Sequence, residues 1–263
     1  MTSIPAANAD AATSTGAASV HLYREPTLLD RTKHIGLRLK ALNHWRATAE
    51  MNAVFVSGME FAEISREYVI AFIPTDRDAQ GKVHVAPVAL LGLRERENLY
   101  LKADGSWDAR YVPAFLRRYP FAYTRLAADQ VGVVFDASWG GLNTEEGELL
   151  LTEAGEPTPF FESIRQFLDS FEQEAQRTRL LCDRLLELEL LRGGEINGQL
   201  PNGQTVKADG FFMIDEEKLR NLPDAVVLEL HRNGVLALLH AHLLSMGHVQ
   251  GLAARQAALQ AQA

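Results

Sequence analysis

The first half of the chain alternates short apolar runs with polar turns. Residues 66–74 read REYVIAFIP and residues 84–93 read HVAPVALLGL, and such β-branched and aromatic runs predict strands. A short strand is also predicted at 98–102, before the hairpin signal Asp104-Gly105, and two more are predicted at FAYTRL and VGVVFD. Because short turns join these strands, the pattern favours an antiparallel sheet over a doubly wound parallel sheet.

From Pro159 onward the apolar positions recur at alternating spacings of three and four residues. This spacing is typical of one face of a long amphipathic helix, and Gly193-Gly194 is the predicted end of that helix. Packing on the core is the favoured interpretation of this face, and a coiled coil with a partner helix is the alternative. The positions on the face are Ile164, Leu168, Phe171, Ala175, Thr178, Cys182 and Leu185.

The last quarter of the chain predicts a hairpin followed by helices. Residues 195–215 contain Asn-Gly twice and an alternating apolar pattern in their second arm, which predicts the hairpin. Asp215 is the predicted N-cap of a short helix, and residues 224–234 and 235–249 form a final helical pair. The whole pattern predicts an α+β fold, in which an antiparallel, meander-like sheet in the N-terminal half packs with the long amphipathic helix and a C-terminal helical segment.

A single domain is expected over residues 21–255, which would be strand-rich over 50–152 and helix-rich over 158–255. Residues 1–20 are rich in Ala, Ser and Thr, and this composition predicts a disordered tail. Residues 256–263 are rich in Ala and Gln and are expected to form a second tail.

Composition narrows the classes of function. The net charge of −8 and the pI near 5.5 argue against a nucleic-acid-binding protein, because such proteins carry basic surfaces. The N-terminus lacks the positive start and the apolar run of a secretory signal, and no apolar run reaches the roughly 18 residues of a membrane span. A cytoplasmic protein without a membrane span is therefore expected. The single cysteine, Cys182, excludes an intrachain disulfide and is expected to be a buried apolar residue.

No familiar catalytic motif is present. The sequence lacks the common dinucleotide, phosphate-loop, zinc-protease and serine-hydrolase signatures. His240 and His242 lie about 200° apart around a helix, so they cannot share one metal ion, and Gly234 is expected to separate His231 from His242. We therefore expect no metal site and no cofactor, leave catalytic residues unknown, and regard an enzyme as the less favoured class.

Residues 108–123 interleave arginines with aromatic side chains, a pattern that suits either a ligand clamp or a packed and capped core. In the packing interpretation, Pro120 stops a helix, Arg117 and Arg118 face the exposed side, and Arg110 makes a buried pair with Asp108 or Glu67. The packed positions in this interpretation are Val112, Phe115, Leu116 and Tyr119.

In the alternative interpretation, arginine forks and nearby aromatic rings bind the carboxylate or phosphate of a peptide or other anion. The residues of this candidate anion or peptide clamp are Arg94, Trp107, Arg110, Tyr111, Arg117 and Arg118.

Several segments resemble the SapC family of bacterial proteins. They are REYVIAF, the stretch from PVALLGLRERENLYLKADGSWDARYVPAF to RRYPFAY, GFFMIDEEKLRNLP and LELHRNGVLALLHAHLLSMGHV. The resemblance covers about residues 20 to 255 in the expected order, and the segment Gly-x-Trp-Asp-Ala-Arg-Tyr-x-Pro-x-Phe is its most distinctive part. One departure is Val69, where the family strand commonly has proline after Arg-Glu-Tyr.

The resemblance implies surface-layer association and serum resistance in some bacteria, and genes placed near those of TonB-dependent receptors. It implies no defined reaction and no catalytic residues. We therefore expect an accessory or interaction protein with a protein or peptide partner, linked to envelope or TonB-dependent uptake systems. One alternative is an enzyme or enzyme partner that uses the clamp, and a second is a surface-layer structural protein, although no export signal is visible. Homo-oligomerisation is left open.

Overall fold

A computed structural model describes residues 22–77, 81, 83–127, 130–199 and 205–262. The contacts group the chain into two compact units. The first unit contains the residues up to Asn43 and Arg118–Glu172, and the second contains His44–Arg117 and the residues from Gln173 onward. The single domain expected over 21–255 stays a prediction.

Eleven strands and seven α-helices lie in the described residues. The strands are β1 (Pro26–Leu28), β2 (Arg38–Leu39), β3 (Ala53–Phe55), β4 (Ile70–Arg77), β5 (Val83–Leu90), β6 (Phe121–Ala127), β7 (Gln130–Asp136), β8 (Leu142–Asn143), β9 (Glu148–Leu149), β10 (Leu191–Gln199) and β11 (Thr205–Ile214). The helices are α1 (Phe61–Ile64), α2 (Ala114–Arg117), α3 (Pro159–Glu187), α4 (Glu216–Arg220), α5 (Asp224–Arg232), α6 (Val235–Ser245) and α7 (Val249–Gln262). Antiparallel sheets with a long helix and C-terminal helices confirm the predicted α+β fold.

The first unit contains two small antiparallel sheets. One has the strand order β1-β7-β6, and the other has the order β8-β2-β9. The β6–β7 hairpin pairs Phe121 with Phe135 at its buried end, whereas Arg125–Ala127 at the other end are exposed. The core of this unit also receives the first turns of α3 and consists of Phe121, Phe135, Leu150, Leu151, Phe161 and Leu168.

The second unit contains a five-stranded antiparallel sheet with the order β10-β11-β4-β5-β3. The strands β4 and β5 lie inside this sheet and contain long apolar runs, and Ile70, Phe72 and Val88 on them are completely buried. The predicted C-terminal hairpin is confirmed as β10–β11, although residues 200–204 at its turn lie outside the described residues. The predicted N-cap is also confirmed, because the Asp215 carboxylate accepts a hydrogen bond from the Lys218 N–H at 3.1 Å.

The long helix α3 carries the predicted apolar face, and Leu168, Thr178, Cys182 and Leu185 on it are buried. Its predicted end at Gly193-Gly194 is wrong, since the helix ends at Glu187 and both glycines lie in β10. Residues 186–190 read LELEL, which fits a strand as well as a helix. The chain turns at Glu189, whose φ is 52°.

Two other expectations are corrected. The segment 98–102 is not a strand, because it forms only the bridge between Leu101 and Trp107 that closes the confirmed Asp104-Gly105 turn. Residues 256–262 are helical in α7 where a tail was expected, and Gln256 is completely buried.

The helices α6 and α7 form one continuous helical run with the single 3-10 turn Met246–His248 between them. In the described part of the chain, Val235–Gln260 is the one helical stretch with the length and apolar composition of a membrane span, and 22% of its most apolar window is buried. The run is thus longer than the sequence indicated. The absence of a membrane span stays a prediction.

Candidate functional site

The segment 108–117 connects a tight turn to the one-turn helix α2. The turn is stabilised by a hydrogen bond from the Ser106 N–H to the Asp104 carboxylate at 2.8 Å. The helix begins after Pro113, whose carbonyl accepts the Leu116 N–H at 2.9 Å. Proline suits this position because its missing N–H would have no partner in a first turn. Most of the segment is therefore irregular backbone that side chains must hold in place.

One of the side chains that hold it is the buried Glu60, which is 6% exposed. One carboxylate oxygen accepts the N–H and the hydroxyl of Ser57, both at 2.9 Å. The other accepts the Tyr111 hydroxyl at 3.0 Å and the Ala114 N–H at 2.7 Å. A buried carboxylate is stable only when donors surround it, and two of these four donors, the Tyr111 hydroxyl and the Ala114 N–H, fasten the segment to the start of α1.

A second carboxylate, that of Glu67, holds the backbone of the same segment at a point before Ala114. It accepts the Arg110 N–H at 3.0 Å and the Tyr111 N–H at 3.1 Å. The expected buried pair of Arg110 is therefore corrected: its backbone binds Glu67, and its side chain is exposed. Asp108 instead binds Arg255 and, at 3.2 Å, Lys102. Although burial opposes ionisation, these two cations lower the pKa of the Asp108 carboxyl.

Trp107 lies within a stack of aromatic rings and is 9% exposed. Its indole N–H donates to the Tyr68 hydroxyl at 2.7 Å, and that hydroxyl donates to the Tyr111 carbonyl. Tyr100 stacks on Tyr68 with ring centroids 4.5 Å apart, and Arg255 lies 4.3 Å above the Tyr100 ring. Burial raises the pKa of Tyr100 to about 12. Trp107 therefore helps to hold the segment in place through Tyr68, which binds the segment's backbone at Tyr111.

Arg117 is exposed, yet its guanidinium is held in one position. Its Nε donates to the Val112 carbonyl at 3.0 Å, and a terminal nitrogen donates to the Tyr111 hydroxyl at 3.1 Å. The guanidinium carbon also lies 5.4 Å from the centroid of the Tyr111 ring, within the range of a cation–π contact. Burial, with the charge of Glu60, raises the pKa of Tyr111 to about 12, so the hydroxyl stays protonated.

Arg118 has a different environment from that predicted. It belongs to the first unit, its side chain is 1% exposed, and its guanidinium lies 4.6 Å above the Phe171 ring. The carboxylate of Glu172 is 3.8 Å away, and burial raises the pKa of that carboxyl in spite of the nearby cation. The predicted exposure of Arg118 is wrong because α2 ends at Arg117, so helical spacing no longer decides which way the next side chain points.

The structure therefore places the six predicted clamp residues in different environments. Tyr111 and Arg117 are in contact, and Arg110 shares the Glu67 carboxylate with Tyr111. Arg94 is exposed in the turn after β5. We call the group formed by the exposed Arg110 and Arg117 and the half-buried Tyr111 the arginine surface.

Comparison with known proteins identifies the family. The SapC family model matches residues 29–252, which is most of the chain. The chain belongs to the SapC family. No curated protein and no solved structure gave a significant match. For this SapC family member the match confirms the resemblance seen in the sequence and indicates no specific function or partner.

The late histidines of this SapC family member lie apart. Gly234, with a φ of 79°, separates α5 from α6 as predicted, so His231 and His242 lie on different helices. His242 is completely buried and accepts the Ile214 N–H at 3.1 Å, whereas His240 is exposed. Within the described ranges, no group of three or more His, Cys, Asp and Glu side chains is placed to bind a metal ion.

Sequence reasoning missed Glu60, although a signal for it was present. The pattern Ser57-x-x-Glu60 before an apolar run is a capping box, and the structure contains both of its reciprocal hydrogen bonds. The role of Glu60 toward Tyr111 and Ala114 has no such signal, because those partners lie more than 50 residues away.

Proposed function

We propose that this SapC family member is an accessory protein that binds a protein or peptide partner through the arginine surface. The partner would belong to a cell-envelope or TonB-dependent uptake system, as the family resemblance implies. The supporting observation is the exposed guanidinium of Arg117, which is held by the Val112 carbonyl and the Tyr111 hydroxyl at 3.0 and 3.1 Å.

An arginine held in this way binds with less loss of conformational freedom. Free arginine side chains lose about 2 kcal/mol of rotamer entropy when they are fixed, and here part of that loss has already occurred on folding. The backbone of the segment is also fixed, because Glu60 and Glu67 accept hydrogen bonds from the N–H groups of Arg110, Tyr111 and Ala114. The surface is therefore preorganised for an incoming carboxylate.

The local charge favours an extended partner over a small free anion. The carboxylates of Glu60 and Glu67 bind the same segment that carries the two arginines, so the region has little net positive charge. Each exposed ion pair contributes only about 0.2–1 kcal/mol, and two such pairs would bind an isolated anion weakly. A peptide or protein segment would add apolar and backbone contacts, and the arginines would then determine its register and specificity.

A capture experiment tests this proposal. The wild-type protein, the variant Arg110→Ala/Arg117→Ala and the control Arg125→Ala/Arg192→Ala would be immobilised and exposed to extract of the source cells. The control removes the same charge from exposed arginines on β6 and β10. We expect proteins that are retained by the wild type and the control, are lost with the double variant, and are released by added salt.

Retention of the same proteins by all three forms would contradict the proposal. Turnover of a captured peptide by the purified protein would favour the alternative of an enzyme that uses the same surface.

A further inference from the structure

The strand β10 forms one edge of the five-stranded sheet, with β11 as its neighbour on the other side. The outer side of an edge strand carries backbone N–H and C=O groups that no strand pairs, and natural proteins often protect them with lysine, proline or a bulge. The sequence of β10, LRGGEINGQ, contains neither lysine nor proline. The bulge of this hairpin lies in β11, where Asp209 and Gly210 stand opposite the single residue Glu195. The edge strand itself is therefore regular.

The contacts at the start of β10 fix which backbone groups face outward. The Asp215 N–H donates to the Leu190 carbonyl at 2.8 Å, so the backbone of Leu190 points toward β11. Successive residues of a strand point their backbone groups to opposite sides, and Leu191 and Gly193 therefore point theirs outward. Ile214, opposite Leu191, agrees with this alternation, because its N–H donates to a histidine ring and not to β10. We call the outward backbone groups of Leu191 and Gly193 the β10 edge.

The glycine at position 193 is not explained by the fold of the chain. A Cβ at Gly193 would meet no atom within 4 Å, and its φ is not positive, whereas Gly194 is required by the Phe211 ring. Gly193 is exposed, and since it has no side chain the exposed surface is backbone. The helix α7 lies close to β10 but leaves this residue exposed. A glycine inside a strand weakens the strand and often marks a place where another backbone approaches closely.

The missing side chain at Gly193 also leaves room beside an aromatic ring. Gly193 lies directly opposite Phe212, so the two residues share one face of the sheet. Phe212 is only half-buried, and so is Leu191, two residues before Gly193 on the same face. In a strand added beside β10, the side chain opposite Gly193 would lie next to this ring. Aromatic side chains stabilise edge glycines in this way in other sheets.

We propose that the β10 edge binds an extended segment of a partner protein, which adds a strand to the sheet and places a large apolar side chain opposite Gly193. The outward N–H and C=O groups of Leu191 and Gly193 would pair with the backbone of the segment, and the space beside Phe212 would select the side chain. The main-chain hydrogen bonds supply affinity in this mode, and the side-chain position supplies specificity.

A second copy of the chain is a less suitable occupant. Two β10 strands related by a two-fold axis run antiparallel, and outward residues must lie opposite outward residues. An axis at Gly193 places glycine opposite glycine, and an axis at Gly194 places Glu195 opposite Gly193. An axis at Arg192 brings Leu191 opposite Gly193 but sets the two copies of Arg192 against each other, and like charges directly opposite are destabilising. The structure therefore favours a strand of different sequence.

Fluorescence anisotropy of a labelled peptide with the full-length protein tests the proposal. The probe is Lys-Thr-Val-Thr-Phe-Thr-Val-Thr-Lys, whose side chains alternate as in a strand and which reads the same in both directions. Its phenylalanine can thus lie opposite Gly193 in either strand direction. One control peptide has alanine in place of phenylalanine, and we expect it to bind about three- to tenfold more weakly than the probe. The other has proline in place of both valines, lacks N–H groups directed at β10, and should not bind.

Variants of the protein assign the binding to this edge. Gly193→Pro removes an outward N–H but no hydrogen bond to β11, so it should fold, as circular dichroism would show, and bind the probe at least about tenfold more weakly. Gly193→Ala keeps the N–H and is the matched control, with binding expected to stay within about threefold of the wild type. The variant Arg110→Ala/Arg117→Ala should bind like the wild type, because this inference does not depend on the arginine surface.

Hydrogen exchange measured by NMR tests the same geometry without a substitution. In the free protein the amides of Leu191 and Gly193 should exchange quickly, whereas those of Arg192 and Gly194, which face β11, should exchange slowly. A saturating concentration of the probe should slow exchange at Leu191 and Gly193 by about tenfold or more.

Three results would overturn the proposal: no binding of the probe, equal binding by Gly193→Pro and Gly193→Ala, or binding that leaves the Gly193 amide in fast exchange. A wild-type dimer that Gly193→Pro converts to a monomer would overturn it as well, because a second copy of the chain would then be the occupant of the β10 edge.

Discussion

Acidification is expected to destabilise the protein through His242. This side chain is completely buried, and its Nε2 accepts the Ile214 N–H at 3.1 Å, so the ring must be neutral in the fold. Burial lowers the pKa of His242 from the usual 6.5 to about 4. Each pKa unit corresponds to about 1.4 kcal/mol, so the protonated ring costs the folded state about 3 kcal/mol.

The sign follows from the lowered pKa. In the unfolded chain the ring binds a proton near pH 6.5, and in the folded protein it does so only near pH 4. The free energy of unfolding therefore keeps this contribution above pH 6.5 and loses it as the pH falls from 6.5 through 4. Glu172, whose pKa is raised by burial, responds in the opposite direction in an overlapping range.

Urea unfolding of the wild type and of His242→Gln, followed from pH 7.5 to 4, measures this contribution. Glutamine keeps an acceptor for the Ile214 N–H but does not titrate. We expect the wild type to lose about 3 kcal/mol more than the variant over this range, since the effect of Glu172 is common to both and cancels. His240→Gln, an exposed position on the same helix, should follow the wild type. Parallel profiles for wild type and His242→Gln would refute the reasoning.

Two further substitutions test the packing. Gly194→Ala should destabilise the protein by about 1–3 kcal/mol in thermal unfolding, because the added Cβ would lie 2.2 Å from the Phe211 ring. The control Gly193→Ala meets open space and should change stability little. Equal effects of the two substitutions would contradict this account. Asp136→Asn should cost about 1–3 kcal/mol, because the buried carboxylate accepts hydrogen bonds from the Tyr119 hydroxyl at 2.9 Å and from the backbone of two residues before β1. An unchanged unfolding midpoint for Asp136→Asn would show that asparagine replaces the carboxylate fully.

The helices and hairpins were predictable where local periodicity determines them. The face of α3, the break at Gly234 and the cap at Asp215 each follow from residues within a few positions of one another. The prediction that α3 ends at Gly193-Gly194 failed because a glycine that ends a helix and a glycine that permits close approach look the same in sequence. The requirement at Gly194 comes from Phe211, which lies on the next strand.

The candidate site was predictable only as a segment. Helical spacing gave the buried positions Phe115 and Leu116 correctly, yet it could not place Arg118, whose neighbours Phe171 and Glu172 lie more than 50 residues away. Nor could residue types show that Arg110 would bind Glu67 through its backbone and not through its guanidinium. A sequence shows which hydrogen-bond donors a residue has, but which of them binds a given acceptor depends on the tertiary contacts.

The segment on which the SapC resemblance depends most is thereby divided into framework and surface. Trp107, Asp108 and Tyr111 make hydrogen bonds inside the second unit, and each of these bonds has a structural reason. The side chains of Trp107 and Asp108 are used by the fold, so these two residues explain the fold of the family better than its function, whereas Tyr111 both fastens the segment and holds the exposed Arg117. The guanidinium of Arg110 is the part of this signature that remains exposed. Searches for the activity are therefore best aimed at the arginine surface, where the guanidinium groups of Arg110 and Arg117 are exposed.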